Sequence, residues 1–476
     1  MPTTTTQEPP ALDYIFHPRS LAVAGISTKE RGRGGGFVQS LQSVGFRGPI
    51  YLIHPTAVAI RGLKCYRRLV DVPDDVDYVI SSVPARAVPG LLEDCIAKNV
   101  KVLHLYTAGF TETGDAERAK MEQAIISRAR EAGIRLIGPN CMGLYVPSAG
   151  LGMMGEQTSE SGPVGAVSQS GVNAGEITRW GVPRGLRFSK VISFGNGADL
   201  KAADFFDYMA DDPETEIVAA YLEGIQDGPR LARAIRKLGA VKPTVILKAG
   251  RTEAGSRAAN SHTASLAGSL QIFDGLCKQA GVVRVESIDE LVDVAVTFRF
   301  VRSLPGPNLV VVGGGGGASV LAADDLAAAG LRLPPLQPET QEALARVTAE
   351  AGTSIRNPID TMSLWDDSAF EATMAACFQA PNADAVLFHT FFDFMPGTRY
   401  QWYATAERQV ATIKRLRDET GRRIVIAVRT GSTADALERA QEFTRLCVAA
   451  GIATYPSIAR AGRALARLLE WQGMRE

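Results

Sequence analysis

The chain has 476 residues, of which 46% are hydrophobic and 21% charged, and its basic and acidic residues balance at 51 each. That length suits about three domains of roughly 150 residues, and the composition is globular rather than disordered or fibrous. The balanced charge, without a basic block, argues against nucleic acid or an anionic membrane as a partner.

Targeting and redox signals are sparse. No apolar run reaches the roughly 18–20 residues that a membrane-spanning helix needs. The Thr- and Pro-rich start predicts a disordered tail over residues 1–12 rather than a signal peptide. The cysteines, at positions 65, 95, 141, 277, 377 and 447, never form a CxxC pair. This spacing predicts no metal site and a reduced, cytoplasmic protein.

Short β-branched segments alternate with longer amphipathic segments along the chain, which is typical of βαβ units on parallel sheets. The predicted strands of the first third are 21–26, 50–53, 78–83, 100–106 and 135–137, with helices at 88–98 and 116–132. Those of the middle third are 164–168, 190–194, 217–222, 244–248 and 282–285. Those of the last third are 309–312, 385–389, 424–428 and 452–455.

Two segments rich in Gly, Ser and Pro, at 147–163 and 303–307, interrupt this alternation and predict domain boundaries. The resulting domains span residues 13–150, 160–303 and 308–476. Each opens with an apolar strand, a small-residue turn and a helix, the turns being 25–36, 168–171 and 313–317. Such turns let an anion approach the unpaired N–H groups of the helix, so three of them favour a nucleotide-like or phosphorylated ligand.

The first turn departs from the dinucleotide-binding pattern. Ser27 stands where that pattern has its second glycine, and no acidic residue closes the second strand. NAD is therefore disfavoured, whereas another adenine-containing ligand remains compatible. The chain also lacks the dipeptide Gly-Lys, so it has no Walker A loop and no obvious ATP site of its own.

Segment 250–268 is poor in apolar bulk, since Leu266 is its only large apolar residue, and it predicts a mobile surface loop. It follows predicted strand 244–248 and carries His262, for which a structural and a functional interpretation are both open. The other four histidines favour structural roles. His104 is predicted in the core and His17 and His54 in turns, while His389, at a strand end, is a weaker functional candidate.

Six motifs together relate the chain to a known family. They are IGPNCMG at 137–143, SQSG at 168–171, YLEGI at 221–225, KAGR at 248–251, SHT at 261–263 and NPID at 357–360. Over residues 14–471 the sequence resembles the alpha subunit of NDP-forming acyl-CoA synthetases (ADP-forming acetate–CoA ligase), of the succinyl-CoA synthetase superfamily. The resemblance implies an α/β protein of three doubly wound parallel-sheet domains, a Rossmann-like CoA-binding domain followed by two flavodoxin-like ligase domains.

The resemblance also implies roles for individual residues. His262 matches the phosphorylated histidine, and Glu223 matches the carboxylate that orients it, as a nucleophilic neutral imidazole needs. The positions matching the phosphate-binding turns are Ser168, Gln169, Ser170, Gly171, Gly314, Gly315, Gly316 and Gly317. Those expected to meet CoA are Gly25, Ser27, Lys29, Arg31, Pro84, Thr107 and Asn140. Asn357 and Asp360 lie beside the second turn, where a structural and a functional role are both open.

Three departures from the family pattern stand out. Ala264 replaces a glycine after the histidine, Gly197 stands where relatives often carry Lys, and the third turn is a run of five glycines. The ATP-grasp portion is absent, which implies a separate ATP-grasp beta subunit that binds the Mg-nucleotide.

The expected substrates are CoA and a carboxylic acid, and the resemblance allows homodimerisation. The implied reaction is acyl-CoA + phosphate + NDP ⇌ acid + CoA + NTP. The alternatives are an ATP-independent acyl- or carbamoyl-transferring relative and a non-catalytic CoA-binding module.

Overall fold

The computed structural model describes residues 11–28, 34–153, 155, 157–255, 257, 269–348, 353–361, 364, 366–393, 399–429 and 431–475. Lys29, Arg31 and His262, three of the predicted site residues, lie outside these ranges. The chain divides into two compact units. The first comprises Met1–Thr178 and Arg187–Ile288, and the second comprises Arg179–Leu186 and Asp289–Glu476.

The first sheet of the first unit has seven strands in the order β3-β4-β2-β1-β5-β6-β7. They are β1 Leu21–Ala24, β2 Ile50–Ile53, β3 Ala59–Ile60, β4 Leu63–Tyr66, β5 Tyr78–Ser81, β6 Val102–Leu105 and β7 Arg135–Ile137. The associated helices are α1 Asp13–Phe16, α2 Gly35–Val44, α3 Val88–Ala97 and α4 Ala116–Glu131. All neighbours pair in parallel except β3 with β4. The strand order reverses at β1, which makes the space between β1 and β5 the switch point where such sheets bind ligands.

The second sheet of this unit has the order β13-β12-β11-β9-β10-β8. Its strands are β8 Gly143–Tyr145, β9 Ser161–Ser168, β10 Phe188–Ser193, β11 Ile217–Leu222, β12 Thr244–Lys248 and β13 Val283–Val285. The helices along this part are α5 Gly171–Gly181, α6 Ala202–Asp211, α7 Gly228–Val241 and α8 Leu270–Gln279, and α9 Ile288–Phe300 then leads into the second unit. The strands pair in parallel except β8, which runs antiparallel to β10 at the edge.

The second unit carries a five-stranded parallel sheet in the order β15-β14-β16-β17-β18. Its strands are β14 Leu309–Gly313, β15 Ile359–Asp360, β16 Ala385–Thr390, β17 Arg423–Val428 and β18 Ala453–Tyr455. Its helices are α10 Gly316–Ala328, α11 Pro338–Ala345, α12 Asp367–Gln379, α13 Arg399–Thr420, α14 Ala434–Ala449 and α15 Ile458–Gly473. The central strands β14, β16 and β17 are buried on both faces, which explains their continuous apolar runs.

The predicted α/β class, with mostly parallel sheets, is confirmed, and every predicted strand is present with ends shifted by a few residues. The unpredicted strands are β3, β4, β8 and β15. They are two to four residues long, which is too short for a hydrophobic pattern to indicate a strand. β8 lies before residue 150 in sequence yet pairs with the second sheet. Within the described ranges, no helix combines the length and apolarity needed to cross a bilayer.

Candidate functional site

The predicted CoA-binding residues that the structure describes lie along one edge of the first sheet. Gly25 follows β1, Pro84 lies beyond β5, Thr107 follows β6 and Asn140 follows β7. These strands are parallel neighbours in the order β1-β5-β6-β7, so their carboxyl ends meet at the same edge. Pro84 is exposed there, and Ser27 is half-buried. The sheet therefore brings four chain segments together at the switch point.

Hydrogen bonds and one close approach tie these loops to each other. The Thr107 hydroxyl donates to the Val83 carbonyl over 2.8 Å, and the Asn140 N–H donates to the Thr107 carbonyl over 3.0 Å. Gly25 has a φ of +82°, and a Cβ there would lie 2.5 Å from the Val83 nitrogen. Only glycine fits where the β1 turn approaches the loop after β5. The edge is thus a connected surface.

Ser82, which the sequence did not single out, lies at this edge. It is buried, and its Oγ has no hydrogen-bond partner among the described residues. The Oγ lies 3.1 Å from where a Cβ of Gly34 would be, and Gly34 caps the N-terminus of α2. Its position directly after a buried parallel strand could have indicated a role at the site, because ligand contacts in such sheets gather at that position.

The turn between β9 and α5 is stabilised by its own serines. The Ser170 N–H donates to Ser168 Oγ over 3.2 Å, and the Asn173 N–H donates to Ser170 Oγ over 3.3 Å. The Gln169 N–H donates to the Tyr221 carbonyl. In the described part of the chain, the N–H groups of Gly171 and Val172 have no such acceptor. The first turn of α5 therefore offers these two amides to an anion.

Glu223 lies beside this turn because β11, which it follows, is the parallel neighbour of β9. The Gln169 side-chain carbonyl accepts hydrogen bonds from the N–H groups of Glu223, at 2.8 Å, and of Gly224, at 3.0 Å. Glu223 itself is buried, at 7% exposure. The Gln169 side chain thus holds the Glu223 backbone in place, and the phosphate contact that the resemblance implies for Gln169 stays a prediction.

Two neighbours of Glu223 are Tyr221, which lies two residues earlier on β11, and Lys248, the last residue of the adjacent strand β12. Lys248 is buried, and its Nζ donates to the carbonyls of Glu223, at 2.6 Å, and Ala249, at 2.5 Å. Burial lowers the pKa of Lys248 to about 8, while the Glu223 charge opposes the shift. Burial, followed by the charge of Glu223 and a hydrogen bond to it, raises the pKa of Tyr221. The Lys248 ammonium thus holds the Glu223 backbone carbonyl, and the Tyr221 phenol is a hydrogen-bonding neighbour of the Glu223 side chain.

Within the first unit, a chain of hydrogen bonds links the loop after β7 to Gln226, in the loop that carries Glu223. The Asn196 N–H donates to the Pro139 carbonyl over 3.0 Å, and Gln226 Nε2 donates to the Asn196 carbonyl over 3.1 Å. Asn196 Nδ2 also donates to Glu112 Oε2 over 2.7 Å. A cavity of about 20 Å³ lies between Gln169, Asn196 and Gln226. The sequence did not single out Asn196 or Gln226, because nothing local distinguishes them from surface amides.

The turn between β14 and α10, in the second unit, has different partners. The Gly315 N–H donates to Asp360 Oδ1 over 2.7 Å. Among the described residues, the N–H groups of Gly314, Gly316 and Gly317 have no acceptor. Asn357 is structural, because its amide accepts from the N–H of Val311 and donates to the carbonyl of Leu309. The turn therefore offers three amides, next to one carboxylate.

The structure also places the four histidines that it describes. His104 is buried, its Nε2 lies 3.2 Å from the Cys141 carbonyl oxygen, and burial lowers its pKa to about 4, which confirms the core prediction. His54 Nδ1 accepts from the N–H groups of Thr56 and Ala57, so it stabilises a turn as predicted. His17 Nε2 lies 3.6 Å from Asp13 Oδ1. His389 is fully buried beside the second turn.

Comparisons with known proteins identify the domains and the family of the chain. Residues 19–147 match the family model of the CoA binding domain, and residues 161–298 match that of the succinyl-CoA ligase like flavodoxin domain. The alpha subunit of ADP-forming acetate–CoA ligase I from Pyrococcus furiosus is 33% identical over 97% of this chain and 98% of its own length. The isoform II alpha subunit of the same organism is 35% identical over 79% of this chain and 81% of its own length.

Solved structures lead to the same family. The apo form of dinucleotide forming acetyl-coenzyme A synthetase 1 from Ca. Korarchaeum cryptofilum superposes with a TM-score of 0.81 at 31% identity, covering 98% of both chains. A second structure of that protein was solved in complex with phosphate and ADP. Sequence and structure agree over nearly the whole chain, and the protein therefore belongs to the family of NDP-forming acyl-CoA synthetase alpha subunits.

Proposed function

We propose that the chain catalyses acyl-CoA + phosphate + NDP ⇌ carboxylic acid + CoA + NTP together with a nucleotide-binding subunit of the ATP-grasp class. In this proposal residues 13–150 bind CoA, residues 160–303 carry the phosphohistidine loop, and residues 308–476 supply the second phosphate-binding turn. The observation that carries it is the hydrogen-bond chain from Pro139 through Asn196 and Gln226. This chain connects the proposed CoA-binding edge of the first sheet to the loop that carries Glu223.

The first step is proposed to take place at the N-terminus of α5. A phosphate oxygen attacks the thioester carbonyl, the carbon–sulfur bond breaks, and CoA leaves as the thiolate while an acyl phosphate forms. The N–H groups of Gly171 and Val172 and the helix dipole stabilise the phosphate charge there. The edge formed by Gly25, Thr107 and Asn140 holds CoA so that its thioester reaches this turn.

The second step is proposed to transfer the phosphoryl group to His262. An imidazole nitrogen attacks phosphorus, the bond to the acyl oxygen breaks, and the carboxylate leaves. Glu223 accepts the N–H of the other ring nitrogen, which fixes the tautomer and stabilises the cationic ring. The Gln169 and Lys248 contacts hold the Glu223 backbone in place for this role. Transfer to the NDP on the partner subunit regenerates the imidazole.

The test uses the full chain mixed with its partner subunit. Incubation with acyl-CoA and 32P-phosphate is expected to label the wild-type chain, and addition of NDP is expected to release the label as NTP. His262→Asn is expected to abolish labelling while CoA still binds, and His54→Asn, in a surface turn, serves as the matched control. Labelling that survives in His262→Asn would remove this residue from its role.

The same mixture tests the assembly. Turnover is expected to require the ATP-grasp subunit, whether or not this chain also forms a homodimer. Full turnover by the isolated chain without any nucleotide would instead support the ATP-independent acyl- or carbamoyl-transferring alternative. CoA binding without labelling or turnover under any condition would support a non-catalytic CoA-binding module.

A further inference from the structure

His389 is a buried polar group that the proposed mechanism does not use. It is the fifth residue of β16 and has no solvent exposure. Neither Nδ1 nor Nε2 has a hydrogen-bond partner among the residues that the structure describes. A buried imidazole without a partner costs free energy, because water satisfies both nitrogens in the unfolded chain. Such a group therefore calls for an explanation.

The ring lies directly under the glycine turn that precedes α10. His389 is the parallel partner of Gly313, the last residue of β14. A Cβ on Gly313 would lie 2.3 Å from both Cε1 and Nε2 of the ring, so only glycine allows the imidazole to occupy this position. The first of the five glycines is thus explained by the histidine rather than by the turn itself.

A small cavity connects the ring to the turn. It has a volume of about 10 Å³ and is lined by Gly314, Thr361, His389 and Gln409, among others. That volume is about the space of one water molecule or one ligand oxygen. Gln409 Nε2 donates to the Leu364 carbonyl, and among the described residues no hydrogen bond joins Gln409 to the ring. The cavity therefore borders both the glycine turn and His389, and it has room for about one oxygen atom.

The charges around the turn favour an anion, although the imidazole itself carries no positive charge. Burial, assisted by the Arg429 charge, lowers the pKa of His389 to about 4, so the ring is neutral at pH 7 and carries one N–H donor. The free N–H groups of Gly316 and Gly317 begin α10, whose dipole is positive at this end. Asp360 contributes the opposing negative charge through its bond to the Gly315 N–H.

We propose that His389 is an oxyanion-binding residue, whose ring N–H donates a hydrogen bond to one oxygen of a ligand bound at the N-terminus of α10. The ligand class is a phosphoryl group or a carboxylate, both of which present such an oxygen and both of which occur in the proposed reaction. The inference rests on the proposed function in one respect, since it takes residues 314–317 as an anion-binding turn.

The primary test is His389→Phe in the full chain with its partner subunit. Phenylalanine keeps a planar ring and removes two unpaired polar atoms, so thermal stability is expected to stay the same or rise. The KM for inorganic phosphate, or for the acid in the reverse direction, is expected to rise about tenfold, the loss of one hydrogen bond to a charged group. His389→Gln, which restores an N–H donor, is expected to recover part of that loss.

A matched control is Thr373→Val. Thr373 is also fully buried in the second unit with an unpaired hydroxyl, but it does not line the cavity. Its KM values are expected to equal those of the wild type. Unchanged KM values in His389→Phe, or equal losses in His389→Phe and Thr373→Val, would overturn the proposal.

Nitrogen-15 spectra of the histidine rings in the wild-type chain distinguish the two ligand sources. Titration with inorganic phosphate or with acetate is expected to shift the His389 resonance, and the anion that shifts it identifies the phosphoryl group or the carboxylate as the ligand. No shift with either anion would overturn the proposal. Failure of the proposed function is distinguished from failure of this proposal, because it would appear as absent 32P labelling of the wild-type chain.

Discussion

The two small-residue turns of the ligase part share one architecture and differ in their electrostatics. Each follows the first strand of a parallel sheet in the order second, first, third, fourth, fifth: β10-β9-β11-β12-β13 in one and β15-β14-β16-β17-β18 in the other. Ser168 and Gly313 end the two first strands, and their partners on the third strands are Tyr221 and His389. The same topology therefore places a phenol beside one turn and a neutral imidazole beside the other.

The acid groups also enter the two turns from opposite sides. Glu223 comes from the third strand of its sheet, and its backbone N–H donates to the Gln169 side chain of the turn. Asp360 comes from the second strand, and its carboxylate takes the Gly315 N–H. Gln169 thus holds the backbone beside the first turn, whereas Asp360 shapes the glycine backbone of the second turn through its carboxylate. A shared fold does not impose a shared role on its turns.

Glu223→Gln is the strongest test of this difference. Removing the charge while keeping the shape is expected to lower kcat by about 100-fold or more, in the range for loss of a positioned acid or base group. Steady-state turnover with the partner subunit measures the effect. Glu216→Gln, at an exposed position just before β11, is the matched control and is expected to be silent. A kcat within about threefold of wild type in Glu223→Gln would erase the contrast between the turns.

Lys248→Met tests the desolvation of the ammonium that holds the Glu223 backbone beside the first turn. The native pKa of Lys248 is about 8 against a usual 10.5, so between these values the unfolded chain binds a proton that the native chain does not. Wild-type stability should therefore rise relative to Lys248→Met from pH 8 to pH 10.5, by up to about 3 kcal/mol. Urea unfolding at a series of pH values checks the slope. A pH-independent difference would show that the ammonium is not desolvated.

Gln169→Leu removes the link between the turn and the Glu223 backbone. Two N–H groups, of buried Glu223 and half-buried Gly224, lose their acceptor, and a buried unsatisfied group costs about 1–3 kcal/mol. We expect a lower melting temperature and a kcat reduced about tenfold, with CoA affinity unchanged. Calorimetry, turnover and CoA titration measure the three quantities. Normal turnover with normal stability would mean that Gln169 does not position Glu223.

Asp360→Asn has the smallest expected effect and acts on the second turn. Asparagine keeps an oxygen for the Gly315 N–H and removes a negative charge, so phosphate should bind about fivefold more tightly, as one screened like charge implies. Isothermal titration with inorganic phosphate measures the change, and Asp418→Asn, exposed on α13, is the control. Weaker binding would show that the carboxylate organises the turn more than it repels the anion.

Much of this architecture could be predicted before the fold was known. The buried parallel strands are continuous apolar runs, and the small-residue turns after β1, β9 and β14 were correctly expected between a strand and a helix. The role of Gln169 could not be predicted, because its partner Glu223 lies 54 residues away and an amide side chain suits a phosphate site equally well. Lys248 was similarly hidden, since a strand-end lysine is usually solvated.

The amino-acid order by itself determined the longer buried strands, the small-residue turns and the family, since each depends on short-range periodicity or on residue types at fixed spacing. Only the tertiary structure decided which groups those turns would meet. The desolvation of Lys248 and the burial of His389 against Gly313 follow from packing between strands that are distant along the chain. Burial and its effect on protonation are properties of that packing, and no local pattern encodes them.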